Sequence, residues 1–221
     1  MIFPGWNGTY KNCVYIYSEQ GLLSEIRGTD AAGTPKWKYT YEYNEEGQLT
    51  TETSWNGLGQ TEWVIYTDYT DNGLPAAQRT TNPDGTVTLK KDFTYNESRR
   101  KTGETTTYGD GKLLKRVTFE HNPDGTVSRE FRYDSNGLYE TVVYRYENSQ
   151  PATISKYSTD GILKDTQHKY YTDGNIIESV TENPDGTVTA REQFIWDING
   201  NLFFKRDTTG ITIRDITYGE N

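Results

Sequence analysis

The chain has 221 residues, a formal net charge of −9 and one cysteine, Cys13, with 14% aromatic residues against only 32% hydrophobic residues in all. That charge argues against sequence-independent binding to nucleic acid or to an anionic membrane, since both need a basic surface. A single cysteine excludes an internal disulfide and any multi-cysteine metal site, and burial must rest on Tyr, Trp and Phe more than on Leu and Ile.

The first residues, MIFPGWNGTY, carry neither the basic start nor the apolar stretch of a signal peptide, and no run reaches the about 18 apolar residues of a membrane-spanning helix. Beyond them, turn glycines punctuate the chain. One set falls at Gly21, Gly47, Gly73, Gly125, Gly174 and Gly200, with Arg99 and Gln150 where a glycine is missing. A second set interleaves it at Gly33, Gly59, Gly85, Gly111, Gly137, Gly161, Gly186 and Gly210. The unit is about 26 residues with two turns, repeated eight times. The tetrapeptide Asn-Pro-Asp-Gly starts at Asn82 and Asn183 in the second kind of turn and at Asn122 in the first, so it is an interchangeable hairpin part. Pro is preset for the first central position of a type I turn, Asp tolerates the next, and Gly accepts the left-handed conformation that returns the chain antiparallel.

Between turns lie runs rich in Thr, Tyr, Val and Phe, and no window holds a helical period. The predicted fold is all-β: an antiparallel meander of about sixteen strands from eight hairpin repeats, one domain over residues 1–221. Alternation assigns the faces. In KWKYTYEY, Lys36 to Tyr43, one face carries Trp37, Tyr39, Tyr41 and Tyr43 and the other Lys36, Lys38, Thr40 and Glu42. Four residues before each first-set turn runs a column of Tyr17, Tyr43, Tyr69, Tyr95, His121, Tyr146, Tyr170 and Trp196, predicted as the ladder of the core. Two residues earlier a second column holds Tyr15, Tyr41, Thr67, Phe93, Phe119, Tyr144, His168 and Phe194. So wide a sheet would leave its aromatic side wet if flat, so it is expected to curl around that side, with a homodimer closing the face as the alternative.

Tyr133-Asp134-Ser135-Asn136-Gly137, with looser copies at Tyr43 to Gly47, Tyr69 to Gly73 and Trp196 to Gly200, resembles the repeat of the bacterial YD-repeat (Rhs-type) family. The resemblance extends over nearly the whole chain and implies a secreted or cell-surface bacterial scaffold, associated with adhesion, carbohydrate contact or the enclosure of a toxin. It brings no catalytic residue.

Chemistry-bearing residues read as parts of the repeat. His121 and His168 occupy ladder positions, where a histidine packs. Asp197 to Asn201 resembles the start of a calcium loop, but the twelfth position is Thr208 in place of a bidentate carboxylate, so a hairpin is the reading. The sequence predicts no enzyme, no catalytic residue, no metal and no cofactor. Tryptophan breaks the repeat: Trp6, Trp37, Trp55 and Trp63 crowd the first 63 residues, and Trp37 and Trp63 hold equivalent places. Two indoles about 10 Å apart on one face suit a sugar or peptide chain lying across them. Two expectations follow. The first is a non-catalytic extracellular or cell-surface module binding carbohydrate through Trp37, Trp55 and Trp63. The second is a structural or protein-interaction segment whose sheet edges or aromatic face meet a partner or a second copy.

Overall fold

The structure is a computed structural model that describes residues 12–197, 200, 202–209 and 212–217. Trp6 lies outside the described residues, as do Ile198, Asn199, Asn201 and Gly210. Among the described residues seventeen antiparallel strands are assigned to one sheet. Sixteen turns join seventeen strands, so the hairpin meander read from the sequence is the fold.

The chain divides into two compact units, one of residues 1–96 with 103–115, the other of residues 97–102 with 116–221. The first holds β1 (Asn12–Tyr17), β2 (Leu23–Thr29), β3 (Pro35–Tyr43), β4 (Leu49–Asn56), β5 (Thr61–Tyr69), β6 (Pro75–Thr81) and β7 (Val87–Tyr95). Residues of β8 (Lys101–Tyr108) and β9 (Leu113–His121) fall in both. The second continues through β10 (Val127–Asp134), β11 (Gly137–Glu147), β12 (Gln150–Tyr157) and β13 (Leu163–Thr172) to β14 (Asn175–Glu182), β15 (Val188–Trp196), β16 (Leu202–Thr209) and β17 (Thr212–Thr217).

Most hairpins share one turn. In the β3–β4 hairpin the Asn44 amide donates to the Gln48 carbonyl and the Gly47 amide to the Asn44 carbonyl, each at 3.0 Å, with Gly47 at φ 75°. This is a type I turn closed by a left-handed residue. The three Asn-Pro-Asp-Gly copies build it identically: Asp84, Asp124 and Asp185 each accept, through Oδ1 at 2.9 Å, from the amide of Thr86, Thr126 and Thr187. One residue into the returning strand the register slips by a bulge, as between Glu42 and Tyr43 or between Thr80 and Thr81. At four of these bulges the extra residue is a Ser or Thr whose hydroxyl bonds the carbonyl eight positions back: Ser24 to Ile16, Thr50 to Glu42, Thr88 to Thr80 and Thr189 to Thr181, at 3.1–3.2 Å.

At the two positions lacking a glycine the chain finds different solutions. Arg99 adopts the left-handed conformation itself, at φ 62°. Gln150 does not; Glu147 pairs directly with Gln150, and Asn148 and Ser149, at φ 51° and 63°, make a two-residue turn. Asp173 and Gly174 do the same between Thr172 and Asn175. Losing one loop residue there shifts β13 by one position and turns its side chains to the other face. This corrects the ladder at Tyr170, which is 49% exposed; Tyr171 takes its place and donates to the Pro151 carbonyl at 3.1 Å. His168 moves with Tyr170, opposite Val180 and 3.9 Å from Glu182.

The same latch recurs along the column. Tyr43 Oη donates to the Leu23 carbonyl, Tyr69 to Leu49 and Tyr95 to Pro75, at 2.8–2.9 Å, and Trp196 Nε1 to Ile176 at 2.6 Å. Each ties a strand end to the start of the strand before it, which locks one hairpin onto the previous one. Tyr146 is half-buried and held above the ordinary phenol range chiefly by burial; Tyr17, in β1, is 60% exposed. The core is thin: among the described apolar residues Ile26, Tyr41, Val142 and Val180 are the buried ones.

Candidate functional site

Strand register builds the candidate surface in rows on the first unit. Gly28, Trp37 and Asn56 form one row. Ile26, Tyr39, Ser54 and Trp63 form the next, and Tyr41, Glu52 and Ile65 the third. Large rings alternate with small residues across neighbouring strands, and that alternation lets the rings lean together. Gly28 leaves the space that the Trp37 indole fills: a Cβ there would stand 2.4 Å from the ring. Ser54, 1% exposed, sits between Tyr39 and Trp63 and donates its hydroxyl to Glu62 Oε2 at 2.8 Å. Tyr39 thereby bridges the two tryptophans, with ring centroids 5.4 Å from Trp37 and 5.8 Å from Trp63, in tilted contacts. All three side chains are half-buried.

Trp55 does not join them. It pairs with Lys38, so it projects from the opposite face, where the Lys38 ammonium lies 4.7 Å from its ring centroid and its indole nitrogen donates to Thr40 Oγ1 at 3.1 Å. The three tryptophans expected together therefore fall on two faces, Trp37 and Trp63 on the one that also carries Tyr39 between them, where the alternation of KWKYTYEY places it, and Trp55 on the other.

Electrostatics mark the third row. Tyr41, 8% exposed, has its phenol pushed up to about 12, chiefly by burial and then by the charge of Glu52. Burial alone raises the Glu52 carboxyl above its ordinary range. Among the described residues Glu52 makes no hydrogen bond or ion pair.

The aromatic-column face of the second unit treats its carboxylates differently. Arg132 meets Glu130 and Glu140, each at 2.7 Å, and Lys164 reaches Glu140 at 2.9 Å. Burial pushes the Glu140 carboxyl up, but the bonds from Lys164 and Arg132 outweigh it and hold the group below its usual range. Tyr144 donates to Glu130 at 2.7 Å, and burial followed by that bond pushes its phenol well up. Lys156 lies 3.0 Å from Asp165 Oδ1, an ionic contact, and bonds Oδ2 at 3.3 Å. Lys205 meets Glu192 at 2.7 Å.

Among the described residues no group of three or more His, Cys, Asp or Glu is placed to hold a metal ion. Cys13 is exposed. No helix among them is long and apolar enough to cross a membrane.

Residues 17–58 match the model of the RHS Repeat family. The chain thus carries a degenerate RHS/YD-repeat pattern. Its fold is similar to part of the Photorhabdus luminescens Tc holotoxin pore, at 14% identity and a TM-score of 0.52, covering 93% of this chain and 14% of that one. It is also similar to a porin-like protein from Bacteroides uniformis, at 14% identity and a TM-score of 0.48, over 93% of this chain and 92% of that one. A TcdB2-TccC3-TEV structure matches at 13% identity and a TM-score of 0.42, over 93% and 16%. No curated protein matches. The chain spans about 14% of the length of the holotoxin chain.

Proposed function

We propose that this non-catalytic repeat module is a structural segment that acts through contact with another polypeptide, a partner or a second copy. The observation that carries the reading is the latch between repeats. Tyr43, Tyr69, Tyr95, Tyr171 and Trp196 each commit their polar atom to a backbone carbonyl at the start of the preceding strand, which belongs to the previous hairpin, so the repeat's most distinctive residues hold the sheet together. The likeness in fold to part of a Tc holotoxin chain supports a wall-building role, and a secreted or cell-surface setting goes with it. The whole sequence acts as one repeat domain in this reading. Sedimentation velocity over a wide range of protein concentration tests it: association that grows with concentration, or on adding a partner repeat protein, is expected. A particle that stays monomeric under both conditions overturns it.

A second reading rests on the Trp37–Tyr39–Trp63 row, whose half-buried rings offer apolar faces to a polysaccharide. It is tested by native gel retardation against soluble polysaccharides, with the Trp37→Ala/Trp63→Ala variant as control. Retardation that the variant loses supports it, and no retardation by any polymer removes it.

A further inference from the structure

Glu52 stands in the middle of the aromatic face of the first unit. Tyr41 and Ile65 lie directly opposite it on the neighbouring strands, and Tyr39, Ser54 and Trp63 fill the adjoining row. Its carboxylate meets no cation among the described residues, although it is half-buried. In the second unit, by contrast, Glu130, Glu140, Asp165 and Glu192 each meet an Arg or Lys within 3.0 Å. A desolvated carboxylate without a partner is costly, and a charge-assisted bond offsets that cost. Glu62, exposed and anchored by Ser54, brings a second carboxylate to the same row.

We propose that this surface receives an arginine side chain presented by a partner polypeptide, its guanidinium stacked on the Tyr39 and Trp63 rings and bonded to Glu52. This rests on the protein-contact reading above and names the chemistry of the contact. The charge and the rings select arginine together. A neutral side chain leaves Glu52 unpaired. An ammonium lacks the flat face that stacks on an indole while its N–H groups reach a carboxylate in the same plane. The net charge of −9 favours a basic partner in the same direction.

The test is a titration of the whole chain, followed by the indole N–H resonances in 1H–15N NMR. The probe is a blocked Gly-Gly-Arg-Gly-Gly peptide, compared with the same peptide carrying citrulline, a neutral isostere. Saturable shifts at Trp63, with Trp55 and Trp196 unmoved, are expected from the arginine peptide alone. Glu52→Gln should weaken the binding by about tenfold, one charge-assisted contact's worth, whereas Glu147→Gln, an exposed carboxylate of the second unit, should leave it unchanged. Glu52→Gln removes a half-buried charge, so it is expected to fold, and its unperturbed spectrum checks that. Equal binding by the Glu52→Gln and wild-type proteins, equal shifts from the citrulline peptide, or no shift at Trp63 would each overturn the proposal. Sedimentation of the same samples separates the two readings: peptide binding by a chain that never associates sinks the scaffold role alone, and association without peptide binding sinks the arginine site alone.

Discussion

The hydroxyl of Tyr69 donates to the carbonyl of Leu49, twenty residues earlier, at 2.9 Å, and so ties the end of β5 to the start of β4. Removing it leaves the ring packed and the carbonyl short of a partner in a part-buried site. Tyr69→Phe is expected to cost about 1 kcal/mol, the usual net worth of such a bond. Urea unfolding should show a lower midpoint with an unchanged slope, and a midpoint equal to wild type would mean that water replaces the latch without loss.

Ser149 holds φ 63° in the two-residue turn between β11 and β12, directly after Asn148 at φ 51°. Asn-Gly is the favoured pair for such a turn, because glycine meets no Cβ penalty there. Ser149→Gly is expected to raise stability by roughly 0.5–1 kcal/mol. Thermal unfolding of the variant beside wild type measures it; a loss of stability would mean that the serine side chain contributes more than its strain costs.

The same turn explains what could and could not be read from the residues. Glycine spacing, Asn-Pro-Asp-Gly and the alternation of KWKYTYEY carry the hairpin meander, because turn chemistry and period-two burial are local. Whether a loop has three residues or two is also local, yet both kinds present a glycine at nearly the same step. The one-residue difference at Asp173-Gly174 therefore stayed hidden, and with it the exchange of Tyr170 for Tyr171. Trp55 was lost to the opposite face for a related reason: its facing depends on which residue of β3 it pairs with, and register across a bulge is a tertiary outcome. Glu52 carried no signal of its own, since an unpaired carboxylate is recognised only once its neighbours are known.

Turn aspartates make the fold acid-sensitive. Asp84, Asp124 and Asp185 have carboxyls held below their ordinary value mainly by bonds from Thr86, Thr126 and Thr187, the first and last through the backbone amide foremost, the second through the hydroxyl foremost. A carboxyl depressed on folding contributes stability above its unfolded value and loses it as pH falls through the folded one. Replacing all three with Ala should therefore destabilise the protein at neutral pH and much less in strong acid. Unfolding midpoints that differ from wild type by the same amount at both pH values would contradict this.

Gly28 and Trp37 set the aromatic row. The indole occupies the place where a side chain at residue 28 would stand, at 2.4 Å from a Cβ. Gly28→Ala must displace the ring, at a cost of about 1–3 kcal/mol for overpacking. It should also break the Trp37–Tyr39 contact, visible as a shift of the Trp37 indole resonance. A variant with wild-type stability and an unmoved indole would show that the strand yields instead of the ring.

Glu52 should act on stability in the sense opposite to the turn aspartates. Burial raises its carboxyl in the folded state, and the titratable groups facing it on that surface are the phenols of Tyr39, Tyr41 and Tyr43 and the carboxylate of Glu62, none of which supplies a positive charge. Below the unfolded carboxyl's ordinary value both states hold the proton and the burial penalty is absent. As pH rises from there through the folded value, the unfolded chain binds fewer protons than the folded one, so stability falls. Glu52→Gln removes the penalty without removing the shape. The variant is expected to be more stable than wild type at neutral pH, and the advantage should shrink as the pH is lowered into the carboxylate range. Urea unfolding at neutral and acid pH measures both, and an advantage that persists or grows in acid, where the carboxyl is protonated in both states, would mean that it does not arise from the buried charge.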